Sequence, residues 1–350
     1  MASNTITSNG IIPAAATAAA TAIDMHSHYY GGLVDDLRRR TVRPFVSSDG
    51  EGRPVLNAMT ASTVMSAGCT ELPARLAFLD AAGIQTQLMT FPGALGLDVM
   101  PVAEVGEAIS AFNDHLADIC RASGGRFVGL AGLPLADAGL AAAELRRVRS
   151  ELGLPGAILP GNFFLGLAQA EALRPVFEVA DELGALLVVH PGLAPGEAPP
   201  DPYEDTSVYR ASGLNLQASI SQMGITLLFG SLLEDYPNVT VQLVNLGGTL
   251  PFIIERLEAI ALSRPPYEPF PRERLRRLYY DCASLGPRAL ETAVRVIGAD
   301  RIMLGTDYPI FTPTAVLETL EQAQISPAER EMVRSGTARA LLARLTTGER

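Results

Sequence analysis

Eight short apolar or β-branched runs recur along this chain, and between them lie stretches with helical periodicity. The runs are "TAIDMH" (21–26), "IQTQLMTF" (84–91), "RFVGLAGL" (126–133), "GAILPG" (156–161), "ALLVVH" (185–190), "VTVQLVN" (239–245), "LYYDCA" (278–283) and "RIMLGTD" (301–307). Many are continuously apolar rather than alternating, which means that both faces are buried, as in a parallel sheet flanked by helices. Helical patterns fill 71–83, 104–125, 138–153, 169–184, 214–235, 250–262, 287–298 and 327–345, and the first four end on glycine. Eight βα units predict an α/β fold, a closed (β/α)8 TIM barrel, in preference to an open doubly wound sheet. No GxGxxG follows the first run, which argues further against a dinucleotide-binding sheet.

Two connections are long. Residues 31–70 follow the first strand and 191–212 follow the fifth, so both insertions fall at strand C-termini, where such barrels carry their active sites. The lead-in 1–20, rich in Ala and Thr, reads as disordered or loosely draped, and 21–350 as one barrel domain. The lead-in lacks the positively charged start of a signal peptide. No apolar run reaches the roughly 18–20 residues of a membrane span. The net charge of −11 argues against a nucleic-acid partner. Cytoplasm is the expected compartment. Cys69, Cys120 and Cys282 have no metal-like spacing and read as small buried apolar residues.

All 27 basic residues are arginines. A chain without lysine can form no Schiff base through a lysine and no carboxylated lysine bridging two metals.

Histidine is scarce too, four in 350 residues, yet two of them form "HSH" at the end of the first strand. Residues i and i+2 of a strand point to one face with Cα atoms roughly 6.5–7 Å apart. His26 and His28 can therefore meet one cation at about 2.1 Å each. The alternative for such a short motif is a pair of surface or hydrogen-bonded histidines. Context favours the ligand reading. His190 ends the most apolar strand and precedes Pro191-Gly192; Asp307 ends "RIMLGTD". Three imidazoles and a carboxylate at strand tips suit Zn²⁺ or a similar divalent ion. His115, within a helical pattern, is given no role.

With HxH on the first strand, "HP" after the fifth and "LGTDYP" at the eighth, the chain resembles the amidohydrolase superfamily. It is most similar to the branch of α-amino-β-carboxymuconate-ε-semialdehyde decarboxylase and the γ-resorcylate decarboxylases. "RFVGLAGLPL", "ELGLPGAILPG", "NLGGTLPFIIER" and "IGADRIMLGTDYP" agree, so the resemblance covers roughly 22–345. It implies one divalent metal, Zn²⁺ first and Mn²⁺ second, held by His26, His28, His190 and Asp307. Asp307 would serve in proton transfer as well as, or instead of, permanent ligation. It also implies a non-oxidative decarboxylase of a small aromatic or unsaturated carboxylic acid. The alternatives are a hydrolase or hydratase of a lactone, amide or C=C substrate, and a degenerate non-catalytic member.

The last alternative arises from a departure. The family carries an acid/base histidine at the end of the sixth strand, where this chain has Asn245, which cannot shuttle a proton near pH 7. The enzyme would then use Asp307 and metal-bound water without a histidine partner, or catalyse a step that needs only polarisation and positioning, with Asn245 orienting the substrate. Arg256 matches a family arginine that reaches a substrate carboxylate in the neighbouring subunit, which implies a homodimer; an ion pair with Glu255 or Glu258 is the alternative. The family's aromatic residue after "HP" is Gly192 here, so a stacking wall would fall to Phe91, Phe163, Tyr203 or Tyr308, each of which core packing would also explain.

Overall fold

The apolar runs become eight parallel strands that close on themselves. A computed structural model describes residues 21–59, 62–198, 209–283 and 285–347. In chain order its strands are β1 (Ala22–Asp24), β2 (Phe45–Ser48), β3 (Pro54–Asn57), β4 (Ser62–Val64), β5 (Ile84–Thr90), β6 (Phe127–Leu130), β7 (Gly156–Pro160), β8 (Leu186–His190), β9 (Thr240–Leu243), β10 (Tyr279–Asp281) and β11 (Ile302–Met303). Parallel pairing runs β1-β5-β6 and β7-β8-β9-β10-β11. A bridge between Ala131 and Ala157 joins β6 to β7, and one between Ser27 and Tyr308 joins the ends of β1 and β11. Met25 N donates to Leu304 O at 2.8 Å along the same seam. The expected barrel is therefore closed.

The insertion after β1 is not a plain loop. It holds the antiparallel sheet β2-β3-β4, which the mixed polar sequence of 45–64 does not announce. The expected helices form with local breaks. The pattern over 169–184 divides into Leu167–Glu171 and Arg174–Leu183, where Pro175 opens the second helix; a proline deeper inside a helix would remove a hydrogen bond. Gly184 ends that helix with φ 59°, a left-handed cap suited to glycine. A further helix, Pro313–Gln322, follows the last strand. The lead-in 1–20 and residues 199–208 of the segment after β8, including Tyr203, lie outside the described residues. Among the described residues no helix is long and apolar enough to cross a membrane. Cys69 and Cys282 are buried and Cys120 half-buried, all as free thiols.

One buried cation ties the helix before β5 to the strands that matter. Arg75, on helix Leu72–Ala82, is 0% exposed. Its Nε donates to Gly68 O at 2.9 Å, Nη1 to Gln87 Oε1 at 2.9 Å, and Nη2 to His28 O. Its guanidinium lies 4.9 Å from the ring of Tyr308 and 5.6 Å from that of Tyr29. Burial pushes the group below the usual arginine range, yet among the described residues no carboxylate pairs with it directly. Replacing it leaves the carbonyls of Gly68 and His28 without this buried donor. Arg75→Met is expected to lower stability by roughly 3 kcal/mol in chemical denaturation; an unchanged midpoint would show that these bonds contribute nothing net.

Candidate functional site

The four residues expected to meet do meet. His26, His28, His190 and Asp307 each present a ligand atom, all within 4.8 Å of one another. The three imidazoles stand edge to face around a common point, with centroids 5.3, 5.1 and 4.7 Å apart and interplanar angles of 88°, 85° and 81°. His26 and His28 follow β1, His190 ends β8, and Asp307 follows β11. All sit at strand C-termini.

Each imidazole is tied at Nδ1, which leaves Nε2 for the centre. His26 Nδ1 lies 3.1 Å from Asp281 Oδ1, His28 Nδ1 2.8 Å from Thr90 Oγ1, and His190 Nδ1 2.9 Å from Pro191 O. Such outer partners set tautomer and ring orientation in metal sites. Toward the centre, His28 Nε2 and His26 Nε2 lie 3.2 and 3.5 Å from Asp307 Oδ1. Neither contact is a hydrogen bond: His26 Nε2 and Asp307 Oδ1 are buried and unpartnered. A buried polar atom without a partner is costly. A tetrahedral ion with 2.1 Å bonds sets its ligand atoms about 3.4 Å apart, so these donors fit one divalent cation.

The charges point the same way. Burial pushes His28 below the ordinary imidazole value and His190 well below it. Burial also pulls His26 down, but the carboxylates of Asp281 and Asp307 outweigh it and raise His26 to about 9. Burial would raise Asp307; His26, His28 and His190 outweigh it and hold the carboxyl below its usual range. At neutral pH without an ion, a proton on His26 therefore supplies the positive charge that two carboxylates attract.

Backbone strain gathers here. Asp307 has φ 56°, and Asn245, Leu246, Gly247 and Gly248 all have positive φ. Such conformations concentrate at functional sites. Asn245 N donates to Asp281 Oδ1 at 3.3 Å, while its own Oδ1 is buried and unpartnered. Arg256 is not part of the cluster: it stands exposed on helix Leu250–Ser263. Among the described residues no ion pair joins it to Glu255 or Glu258, the alternative partners, and Glu258 takes Arg272 at 2.7 Å.

The proposed aromatic wall does not form from the described candidates. Phe91 packs edge-on against Phe112 at 5.2 Å, Phe163 is buried, and Tyr308 packs against Phe78 and Arg75. None lines the cavity of about 710 Å³ whose lining includes Gly93, Asn162 and Pro191. Core packing takes these rings because they lie on or beside apolar strands.

Sequence reasoning passed over Asp281, Asp24 and Asp98. Asp281, 0% exposed, orients His26 and also accepts from Gln242 Nε2 at 3.0 Å. Its close neighbour must be glycine, because a β-carbon on Gly305 would stand 2.7 Å from Asp281 Cβ. Asp24 accepts from Thr306 N at 2.9 Å, Thr306 Oγ1 at 2.6 Å, Gln87 Nε2 at 2.7 Å and His26 N at 3.1 Å. An acid inside an apolar strand was the available signal for both. Asp98, after β5, gives none: it lies in a polar-apolar loop, yet both carboxyl oxygens are buried and unpartnered, and burial pushes it up to about 8.

This chain belongs to the amidohydrolase family, whose model matches residues 23–344. It is 27% identical over 284 residues to the 2-amino-3-carboxymuconate-6-semialdehyde decarboxylase of Dictyostelium discoideum, covering 78% of this chain and 77% of that one. With the gamma-resorcylate decarboxylase of a Polaromonas species it shares 25% over 288 residues, 76% and 86% of the two chains. The fold also matches the apo IDCase of Metarhizium anisopliae, with a TM-score of 0.79, 20% identity and coverage of 93% and 97%. A Polaromonas dihydroxybenzoic acid decarboxylase, solved with manganese and 2-nitroresorcinol, matches with a TM-score of 0.68, 22% identity and coverage of 93% and 97%.

Asp281→Asn removes the carboxylate that faces His26 Nδ1. In ion-free protein it is expected to drop His26 from about 9 toward the ordinary imidazole value. Imidazole resonances followed by NMR across pH check this; an unmoved titration would mean that Asp281 does not hold the proton.

Proposed function

We propose that this chain is a metal-dependent, non-oxidative decarboxylase of a small aromatic or unsaturated carboxylic acid, with His26, His28, His190 and Asp307 holding one divalent ion. The observation that carries the reading is the convergence of three Nε2 atoms and one carboxylate, each imidazole anchored at Nδ1, in a chain whose relatives are named decarboxylases. Nitrogen and oxygen donors suit Zn²⁺, our first choice, and Mn²⁺. When bound, the ion supplies Lewis-acid polarisation of the substrate's oxygens.

The remaining work falls to the chain's own side chains. Non-oxidative decarboxylation exchanges a C–C bond for a C–H bond: CO₂ leaves, its bonding pair stays on carbon, and a proton takes up that pair. Asp307 is the carboxyl within the cluster and moves this proton. Asn245 neither gives nor takes a proton at neutral pH; its unpartnered Oδ1 instead receives a donor of the substrate and orients it. Arg256, exposed on its helix, would reach a substrate carboxylate in the neighbouring subunit, making the active species a homodimer. Release of CO₂ separates this reading from a hydrolase or hydratase, which would add water to the substrate.

Metal analysis of purified protein is expected to find about one ion per chain, and His190→Ala to lose it while circular dichroism stays unchanged. Loading ion-free protein with Zn²⁺ near pH 7 is expected to release about one proton per ion, because His26 must give up its proton to bind. Calorimetry in buffers of different ionisation enthalpy measures this, and binding without proton release would contradict the assignment of His26. With hydroxybenzoates and muconate-type acids as substrates, Asp307→Asn should lower kcat at least about 100-fold. CO₂ release that survives the substitution would remove Asp307 from proton transfer.

A further inference from the structure

Strand β5 buries one glutamine completely. Gln87 is 0% exposed and stands opposite Asp24 in the parallel register of β1 and β5. Its Oε1 accepts from Arg75 Nη1 at 2.9 Å, and its Nε2 donates to Asp24 Oδ2 at 2.7 Å. Arginine only donates and a carboxylate only accepts. A carboxamide answers both with one head group, whereas an ionised carboxylate or an ammonium answers one. Gln87 thereby joins a buried cation to a buried acid.

Both ends of this relay reach the backbone of the histidine cluster. On the cation's side, Arg75 Nη2 donates to His28 O, and the guanidinium lies 4.9 Å from the ring of Tyr308. On the acid's side, Asp24 accepts from His26 N at 3.1 Å and from Thr306 N and Oγ1 at 2.9 and 2.6 Å. Thr306 Oγ1 accepts in turn from Tyr308 N at 3.2 Å. Asp307, with φ 56°, thus lies between two residues that are both tied to the relay. One buried path of hydrogen bonds therefore fixes the main chain at or beside three of the four cluster residues.

We propose that Gln87 is a positioning residue: by coupling Arg75 to Asp24 it sets the spacing of His26, His28 and Asp307, and through that spacing the affinity of the cluster for a divalent cation. This rests on the metal-dependent reading of the cluster. Donors already held at the separation an ion requires lose less freedom when it binds. Gln87 touches none of their side-chain nitrogens or oxygens, so it acts through the backbone that carries them.

Zn²⁺ affinity of the full-length protein, measured by competition with a chelator, tests the inference. Gln87→Met keeps the length of the side chain and removes both hydrogen bonds. It is expected to weaken Zn²⁺ binding about tenfold, as loss of an outer orienting group does. Gln87→Asn, polar but one methylene too short to span both partners, should weaken binding in the same direction; it takes over the test should the methionine variant not fold. Val176→Ala controls for lost stability alone, since Val176 is a buried core residue of helix Arg174–Leu183, outside the relay. That variant should bind Zn²⁺ as the native protein does. Unchanged affinity in the Gln87 variants, or an equal loss in Val176→Ala, would overturn the inference while leaving the metal site in place. Native protein that takes up no Zn²⁺ would remove the metal-dependent reading, and this inference with it.

Discussion

Closure of the barrel between its first and last strands is the constraint on which the site depends. The Asp24 carboxylate carries much of that seam: it gathers the amide and hydroxyl of Thr306, the amide of His26 and the side chain of Gln87. Above it, Asp307 N donates to His26 O at 2.8 Å, and His28 N to Tyr308 O at 2.7 Å. Each bond joins residues from opposite ends of the chain. Together they bring the carboxylate of Asp307 beneath the two imidazoles that follow β1.

Once these groups are buried together, their electrostatics become a problem that a bound cation would solve. Desolvation opposes charge on every member, yet the cluster also contains acids, and the outcome is uneven: His26 is driven up while His28 and His190 are driven down. In low dielectric a divalent ion bound here would satisfy the lone pairs left unpartnered and take the place of the proton held between Asp281 and Asp307. The positive φ values of Asp307 and of 245–248 persist because the surrounding barrel over-determines them.

Support for the site is distributed around the barrel. Thr90 comes from β5, Asp281 from β10 and the Pro191 carbonyl from the end of β8. Arg75 reaches up from a helix to hold the His28 carbonyl. Rigid strands thus fix the cluster, whereas the connecting loops shape the cavity.

The eight strands were legible because continuous apolar runs have few other solutions, and His26, His28, His190 and Asp307 because polar side chains at the tips of such runs are conspicuous. Asp281 and Asp24 carried the same signal more weakly, inside strands where an acid has no evident partner until the neighbouring strand is known. The sheet β2-β3-β4 and the burial of Asp98 left no trace in local pattern, since both depend on packing against distant residues. The amino-acid order by itself thus determined the eight barrel strands, the fold and the types of side chain that gather at their tips. Tertiary structure alone decided which nitrogen of each imidazole faces the centre and which acid holds His26, because hydrogen bonding and desolvation act between groups that only the closed barrel brings within a few ångströms.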